Sequence, residues 1–392
     1  MDFELTDEHR RIQETARKFA RSELEPIAAR LDRTGDQTAF TANLKKIART
    51  GLMGLNIRRE FGGVQAGMVA LSLALTEFGQ ACASTAAAAA INNLVCEVIQ
   101  AIGSDEQKKV HISRMCSGEY TAGSFALTEA GAGSNPAELS MSAVLDEGKW
   151  ILNGSKKFIT SAPYADILLV WAVTDPAAPK GRGISCFLVE AGAKGLKVGA
   201  PIRKMGQQAS ATSEVIFEDC RIPKEALMGK LNDGFRAAVA GLASGRVGVG
   251  SLALGVGQAA MDYATRYAHA RIQGEHKITD FQAIQWMIAD AYTELEAGRL
   301  LLMQAAWRAD RGGPFVKEAA MAKLYTSEAA NRACYSAVQM MGGSGYSQEF
   351  PVERYARDVR ITSIYEGTNE IQRIIIAREV LKELEGTANL GA

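Results

Sequence analysis

The stretch Trp150-Ile-Leu-Asn153-Gly154-Ser-Lys-Lys157-Phe158-Ile159-Thr160 decides the class of fold. An apolar triplet meets Asn153-Gly154, a dipeptide suited to a tight hairpin turn, and β-formers return at Phe158, Ile159 and Thr160. The spacing predicts a hairpin here. Around it, residues 121–127, 157–161, 167–173, 184–189 and 214–219 read as short strands. In the last of these, Val215 and Phe217 alternate with Ile216 and Glu218. Pro163, Pro176, Pro179, Pro201 and Pro223 punctuate the zone.

Working outward, both flanks read as helical. On the N-terminal side Ile12, Ala16, Phe19, Ala20 and Ile27 recur at helical steps, as do Leu44, Ile47, Ala48 and Leu52. An alanine-rich run, 81–90, leads into 91–102 and stops at Gly103. Ser104, Asp105 and Glu106 then carry helix-starting chemistry. On the C-terminal side four long helices are predicted, at about 236–271, 280–311, 314–342 and 351–384. Ile371, Ile374, Ile375, Leu381 and Leu384 form the apolar face of the last. The predicted class is α+β in three domains: N-terminal helices (1–119), a middle β domain (120–233) and a C-terminal helical bundle (234–392).

Composition excludes several functions. The 392 residues carry 44 basic and 44 acidic side chains, a net charge of zero. Nucleic-acid binding and polybasic membrane docking both need excess positive charge. The start, Met1 to Arg10, is polar and acidic, unlike a secretion signal. The most apolar segment, 239–260, is broken by Arg246, so no integral membrane segment is expected. The end, Asn389 to Ala392, matches no lipidation or retention signal. Six scattered cysteines without a CxxC pair read as reduced thiols in a cytoplasmic protein, and no His pair has metal-ligand spacing.

Four motifs carry chemistry. Gly248-Val-Gly250-Ser-Leu-Ala253 spells a dinucleotide fingerprint, but it lies inside a helical run with no preceding strand, so it reads as close helix packing. Thr128-Glu129-Ala-Gly131-Ala-Gly133-Ser134-Asn-Pro136 follows a strand. It offers hydroxyls and accessible N–H groups to a heterocycle edge or a phosphate, and it also reads as an ordinary glycine-rich turn. Ile364-Tyr365-Glu366-Gly367-Thr368-Asn369-Glu370-Ile371-Gln372 precedes the last helix, with capping chemistry at Thr368 or Asn369. Glu366 stands apart: an enclosed carboxylate there is a general base, an exposed one a plain loop acid. Gln339-Met-Met-Gly342-Gly343 breaks a helix, either as a simple terminus or to bring backbone close to a ligand.

Together these residues resemble the acyl-CoA dehydrogenase flavoprotein family over nearly the whole chain. Four stretches carry the resemblance: 125–134, 153–160, Gln339 to Gly343 with Arg357-Asp358, and 364–372. The resemblance implies helical, β and four-helix-bundle domains, and a homotetramer, a dimer of dimers, with FAD across a subunit interface. It implies cofactor roles for Phe125, Leu127, Thr128, Ser134, Phe158, Thr160, Thr368 and Glu370, and for Arg271, Gln282, Gln339 and Gly343 toward a neighbouring subunit's FAD. Ser134, Arg246 and Gly367 match acyl-CoA positions. Glu366 matches the catalytic base, and the alternative base position is Gly245, which has no side chain to serve. The implied reaction is α,β-dehydrogenation of an acyl-CoA thioester, with electrons passed on to an electron-transfer flavoprotein.

The chemistry demands such parts. A Cα proton beside a thioester is too weakly acidic for an ordinary carboxylate in water. Burial raises the carboxylate's basicity, and donors on the thioester oxygen stabilise the enolate. Two departures from the family pattern stand out: Gly274-Glu275 where an aromatic-glycine pair is common, and Gln208 where Arg is frequent. The small residues Ala86 to Ala90, with Leu94, lie on the helix that walls the family's acyl pocket and leave open which acyl chain fits. Two other readings stand beside the dehydrogenase: an oxidase or other flavoprotein on the same scaffold, and a non-catalytic acyl-CoA-binding scaffold.

Overall fold

Thr6 starts the first helix: its hydroxyl accepts the His9 N–H at 3.2 Å, and Asp7 and Glu8 sit at the positive end of the helix dipole. The computed structural model describes residues 4–388, and the readings of residues 1–3 and 389–392 lie outside it. Helix α1 (Asp7–Phe19) passes through one π-turn into α2 (Glu25–Thr34), followed by α3 (Gln37–Arg49). Leu52 lies past the end of α3. The alanine-rich run is one helix, α5 (Ala83–Ile102), which stops at Gly103; α4 (Gly67–Ala81) precedes it across Cys82, which is extended. Ser104 and Gln107 form a reciprocal capping box at α6 (Asp105–Gln107), and α7 (Ser113–Ser117) closes the domain.

The middle zone is one eight-stranded sheet. Its strands are β1 (Gly123–Ala126), β2 (Ser142–Asp146), β3 (Lys149–Thr160), β4 (Ile167–Val173), β5 (Ile184–Glu190), β6 (Leu196–Val198), β7 (Thr212–Pro223) and β8 (Leu227–Met228). They run in the order β6-β7-β3-β2-β4-β5-β8, with β1 parallel to β4.

The predicted turn at Asn153-Gly154 is corrected: β3 runs through it, and the hairpin turns at Glu147-Gly148, both with positive φ. The reason is tertiary. β7 pairs along β3 and bulges opposite Asn153, whose side chain accepts the Asp219 N–H at 2.7 Å and donates to Asp219 Oδ1 at 3.1 Å. A second shift, between Lys156 and Ile159, puts Phe158 at φ 58° and turns its ring outward.

The C-terminal zone holds α8 (Gly234–Ala270), α9 (Gln282–Asp310), α10 (Val316–Met341), the short α11 (Gly343–Tyr346), α12 (Val352–Val359) and α13 (Asn369–Ala388). The single helix expected at 351–384 is therefore two, separated by a 3-10 turn and a loop. Glu366 and Gly367 have φ of 55° and 88°, values that no right-handed helix contains. Helix α8 is the hub, packed by α4 and α5 on one side and by α9 and α10 on the other. Glycine makes this approach possible: a Cβ on Gly255 would stand 2.1 Å from the Thr76 carbonyl oxygen of α4. The fingerprint spelling at Gly248 lies within this packed helix. Helices α5 and α8 are long and apolar enough to cross a bilayer, but 67% and 78% of their most apolar windows are buried inside the protein.

Candidate active site

The loop between α12 and α13 presents Glu366. The residue as a whole is partly exposed, but Oε2 is sealed from solvent and has no hydrogen-bond partner. It lies over Gly245 of α8, where an added Cβ would stand 2.7 Å from Oε2 and 3.4 Å from Leu94 Cδ2 of α5. The Glu366 carboxylate thus occupies the space that a side chain at position 245 would need.

Two buried cations stand nearby. Arg246 of α8 is buried, with Nε and Nη1 unpartnered. Lys323 of α10 is fully buried and donates to the Gly367 carbonyl at 2.9 Å and to Asn369 Oδ1 at 2.8 Å. Burial pushes the Glu366 carboxyl up to about 7, against the charges of Arg246 and Lys323. Burial likewise pulls Lys323 down to about 7. A further carboxylate, Glu97 of α5, is raised to about 7 by burial and is held by Ser244 and Asn56.

The second half of the site lies on the sheet. Phe125 of β1 packs its ring on Trp171 at 4.3 Å. Beyond β1, the Leu127 carbonyl accepts from Lys156 Nζ at 3.1 Å, and the Thr128 carbonyl accepts from the Lys157 N–H at 2.8 Å. Lys156 and Glu129 form a buried ion pair at 2.7 Å, and Glu129 also accepts from the N–H groups of Ser140 and Met141. The loop that follows, with Ser134 exposed, is pinned at its base and open at its top. Nothing lies within 4 Å of a Cβ built on Gly131 or Gly133. Phe158 is 60% exposed beside Thr160, which pairs with Thr212 of β7.

Gln207, shortly before β7, joins the halves. Its N–H donates to Asp358, and its side chain donates to the Asp358 carbonyl at 3.2 Å and to Tyr365 Oη at 3.4 Å. Gly206 lies so close to α12 that a Cβ there would reach Arg357 backbone at 2.5 Å. Burial raises Asp358 to about 7.

A third group lies elsewhere. Arg271 caps α8, Gln282 opens α9 and Gly343 opens α11, with Gln339 just before it, and all four are exposed. Tyr267 ties this end together through Ser344 at 3.0 Å and the Phe350 ring. From Gly245 to Arg271 is about 39 Å along α8, so these residues and Glu366 do not form one site within a single chain. Thr368 and Glu370 flank the α13 start, near Glu366.

The departures are absorbed locally. Gly274, at φ 64°, makes the exposed turn of a two-stranded ribbon, and Gln208 folds back on the Lys204 carbonyl at 2.5 Å. Sequence reasoning missed Lys323 and Lys156. For Lys323 a signal existed: it falls on the apolar stripe Ala319, Ala320, Lys323, Ser327, Ala330, all buried.

These residues fit a flat, polar-edged ring system: an outward aromatic face, a glycine loop with open space above it, and the incompletely partnered Arg246 guanidinium and Glu366 carboxylate. FAD fits that description, and Glu366 with Arg246 fits a thioester.

Residues 6–119, 124–220 and 232–381 match the N-terminal, middle and C-terminal domains of acyl-CoA dehydrogenase. The chain belongs to the acyl-CoA dehydrogenase family. It is 42% identical over 386 residues to the acryloyl-CoA reductase (NADH) of Anaerotignum propionicum, covering 97% of this chain and 96% of that one. It is 43% identical over 380 residues to the mitochondrial short-chain specific acyl-CoA dehydrogenase of Mus musculus, covering 97% and 91%. The structure of butyryl-CoA dehydrogenase from Megasphaera elsdenii superposes with a TM-score of 0.94 at 34% identity, covering 97% of this chain and 100% of that one. The chain is an oxidoreductase of acyl-CoA thioesters with FAD as its cofactor, in the three-domain α+β architecture of the family.

Proposed function

We propose that the chain removes hydrogen from Cα and Cβ of a short-chain acyl-CoA, with Glu366 as the base. One observation carries the reading. A carboxylate with its outer oxygen sealed and unpartnered stands over Gly245, with the buried cations Arg246 and Lys323 acting on it by charge. Glu366 takes the Cα proton on Oε2. Its N–H, which has no acceptor among the described residues, is available to the thioester oxygen, and one such donor contributes about 3–4 kcal/mol to the transition state. FAD, when bound, would supply the acceptor for the Cβ hydride. Phe125, Leu127, Thr128, Ser134, Phe158 and Thr160 would hold it from the sheet side, and Thr368 and Glu370 from the α13 side. Gly367 and Arg246 face the acyl group.

The short chain is supported by helix packing. Cβ atoms on Gly248, Gly245 and Gly241 of α8 would meet Ala90, Leu94 and Val98 of α5 at 3.4, 3.4 and 2.8 Å. Little depth is left between the helices for a long tail. Relatives at about 40% identity that are named for acyl-CoA substrates favour this reading over the oxidase and scaffold readings.

A homotetramer is our reading of the remote group. Arg271, Gln282, Gln339 and Gly343 are exposed far from this chain's own Glu366, with Trp286 62% and Tyr335 73% exposed on neighbouring helices. Their match to cofactor positions calls for a partner's FAD. Electrons leave to an electron-transfer flavoprotein, and the six unpaired cysteines suit a reducing cytoplasm.

The test is anaerobic bleaching of the purified yellow protein by a panel of acyl-CoAs. We expect butyryl-CoA to bleach fastest and octanoyl-CoA slowly. Bleaching by long chains alone overturns the short-chain reading, and bleaching by none overturns the function. Light scattering checks the tetramer, which a monomer retaining full FAD refutes.

A further inference from the structure

Among the described residues two lysines are buried, and they differ in one respect. Lys156 has a carboxylate partner, Glu129. Lys323 has none within ion-pair distance; its two acceptors, the Gly367 carbonyl and Asn369 Oδ1, are neutral. Enclosing an ammonium without an ion pair is costly. A neutral side chain would fill the same space at lower cost, so packing does not account for the charge.

The placement does. Glu366 and Gly367 are consecutive left-handed residues, and for glutamate that backbone is strained. Three hydrogen bonds hold them from behind. Lys323 Nζ and Gln372 Nε2 each donate to the Gly367 carbonyl at 2.9 Å, and Gln372 Nε2 donates to the Glu366 carbonyl at 3.3 Å. Asn369 is itself tied to Ser327 on α10, so the Lys323 ammonium is braced on both sides. With both carbonyls pinned, the Glu366 backbone cannot rotate, and its N–H stays free for a ligand. The ammonium also acts on the Glu366 carboxylate by charge.

We propose that Lys323 is the positioning residue of proton abstraction: it fixes the left-handed Glu366-Gly367 pair through the Gly367 carbonyl. The inference rests on Glu366 being the base. Other charged or titratable groups face this cluster: Arg246 from α8, Glu328 from α10, Glu370 and Arg378 from α13, and Tyr365 from the loop. All remain when Lys323 is replaced.

The experiment compares FAD-loaded Lys323→Met with the parent, measuring anaerobic bleaching by butyryl-CoA across pH 6–9. We expect FAD content to hold, the rate to fall on the order of 10²-fold as the base is misplaced, and the KM for butyryl-CoA to move far less. Without the cation, the acid-side limb of the pH profile moves to higher pH. An FAD-replete variant with the parent rate and an unmoved limb overturns the proposal. If Lys323→Met does not retain FAD, Gln372→Leu carries the test. It strips the other donor from the Gly367 carbonyl and leaves the charge, so the rate falls with the limb unmoved; an unchanged rate overturns the positioning role. Glu366→Gln is run alongside. Normal bleaching by that variant removes the base assignment, and the inference falls with it, separately from any result at Lys323.

Discussion

Glu366 is held between opposing influences. Burial disfavours its charge, while Arg246 and Lys323 favour it, and the balance stands at about 7. As the proposed base, Glu366 works only when deprotonated. The rate of flavin bleaching is therefore expected to rise with pH through about 7 and level off above it. A limb near pH 4.5, the ordinary glutamate value, would show that the carboxylate is solvated in the working enzyme. Gly245 is the complementary test at this scale. An added methyl stands 2.7 Å from Oε2, so Gly245→Ala must displace the carboxylate. We expect bleaching to slow by about 10²-fold, the effect of a misplaced reacting group, with FAD content unchanged.

At the scale of elements, two loops make the site, and each is pinned by a buried lysine on a backbone carbonyl: Lys156 on Leu127 and Lys323 on Gly367. Lys156 reaches inward because β3 carries a bulge on each side of it, opposite β7. Replacing it with Met leaves Glu129 buried without its cation, and breaking such a pair costs about 3–5 kcal/mol. Lys156→Met is thus expected to lower stability by that order in urea unfolding and to purify with reduced FAD. Full FAD occupancy in the variant would show that the loop keeps its shape without the pair. Helix α8 serves both loops. Its glycines let α4 and α5 pack closely, and Gly245 among them leaves the space that the Glu366 carboxylate occupies.

For the whole molecule, the exposed cluster of Arg271, Gln282, Gln339 and Gly343 lies at the far end of α8 from Glu366. Nothing lies within 4 Å of a Cβ on Gly343, so the isolated chain tolerates a side chain there. If this face meets a partner's cofactor, Gly343→Asp places a negative charge beside its phosphates. The expected outcome is a folded protein with markedly less FAD per subunit, measured from absorbance at 450 nm against protein concentration. Stoichiometric FAD in that variant would remove the cluster from the cofactor site.

The sequence by itself determined the α+β class, the limits of β4 and the family, because periodicity and contiguous motifs are local properties. It singled out Glu366 by its neighbours Tyr365 and Gly367. Tertiary structure decided the rest. The turn moved from Asn153-Gly154 to Glu147-Gly148 because pairing with β7 outweighs a local turn preference. The last helix broke at Glu366 because Lys323 and Gln372 hold a left-handed pair that no local signal announces. Gln207, Lys156 and Lys323 joined the site from distant positions in the chain. Their roles depend on which carbonyl each one meets, and that is settled only when separate elements pack together.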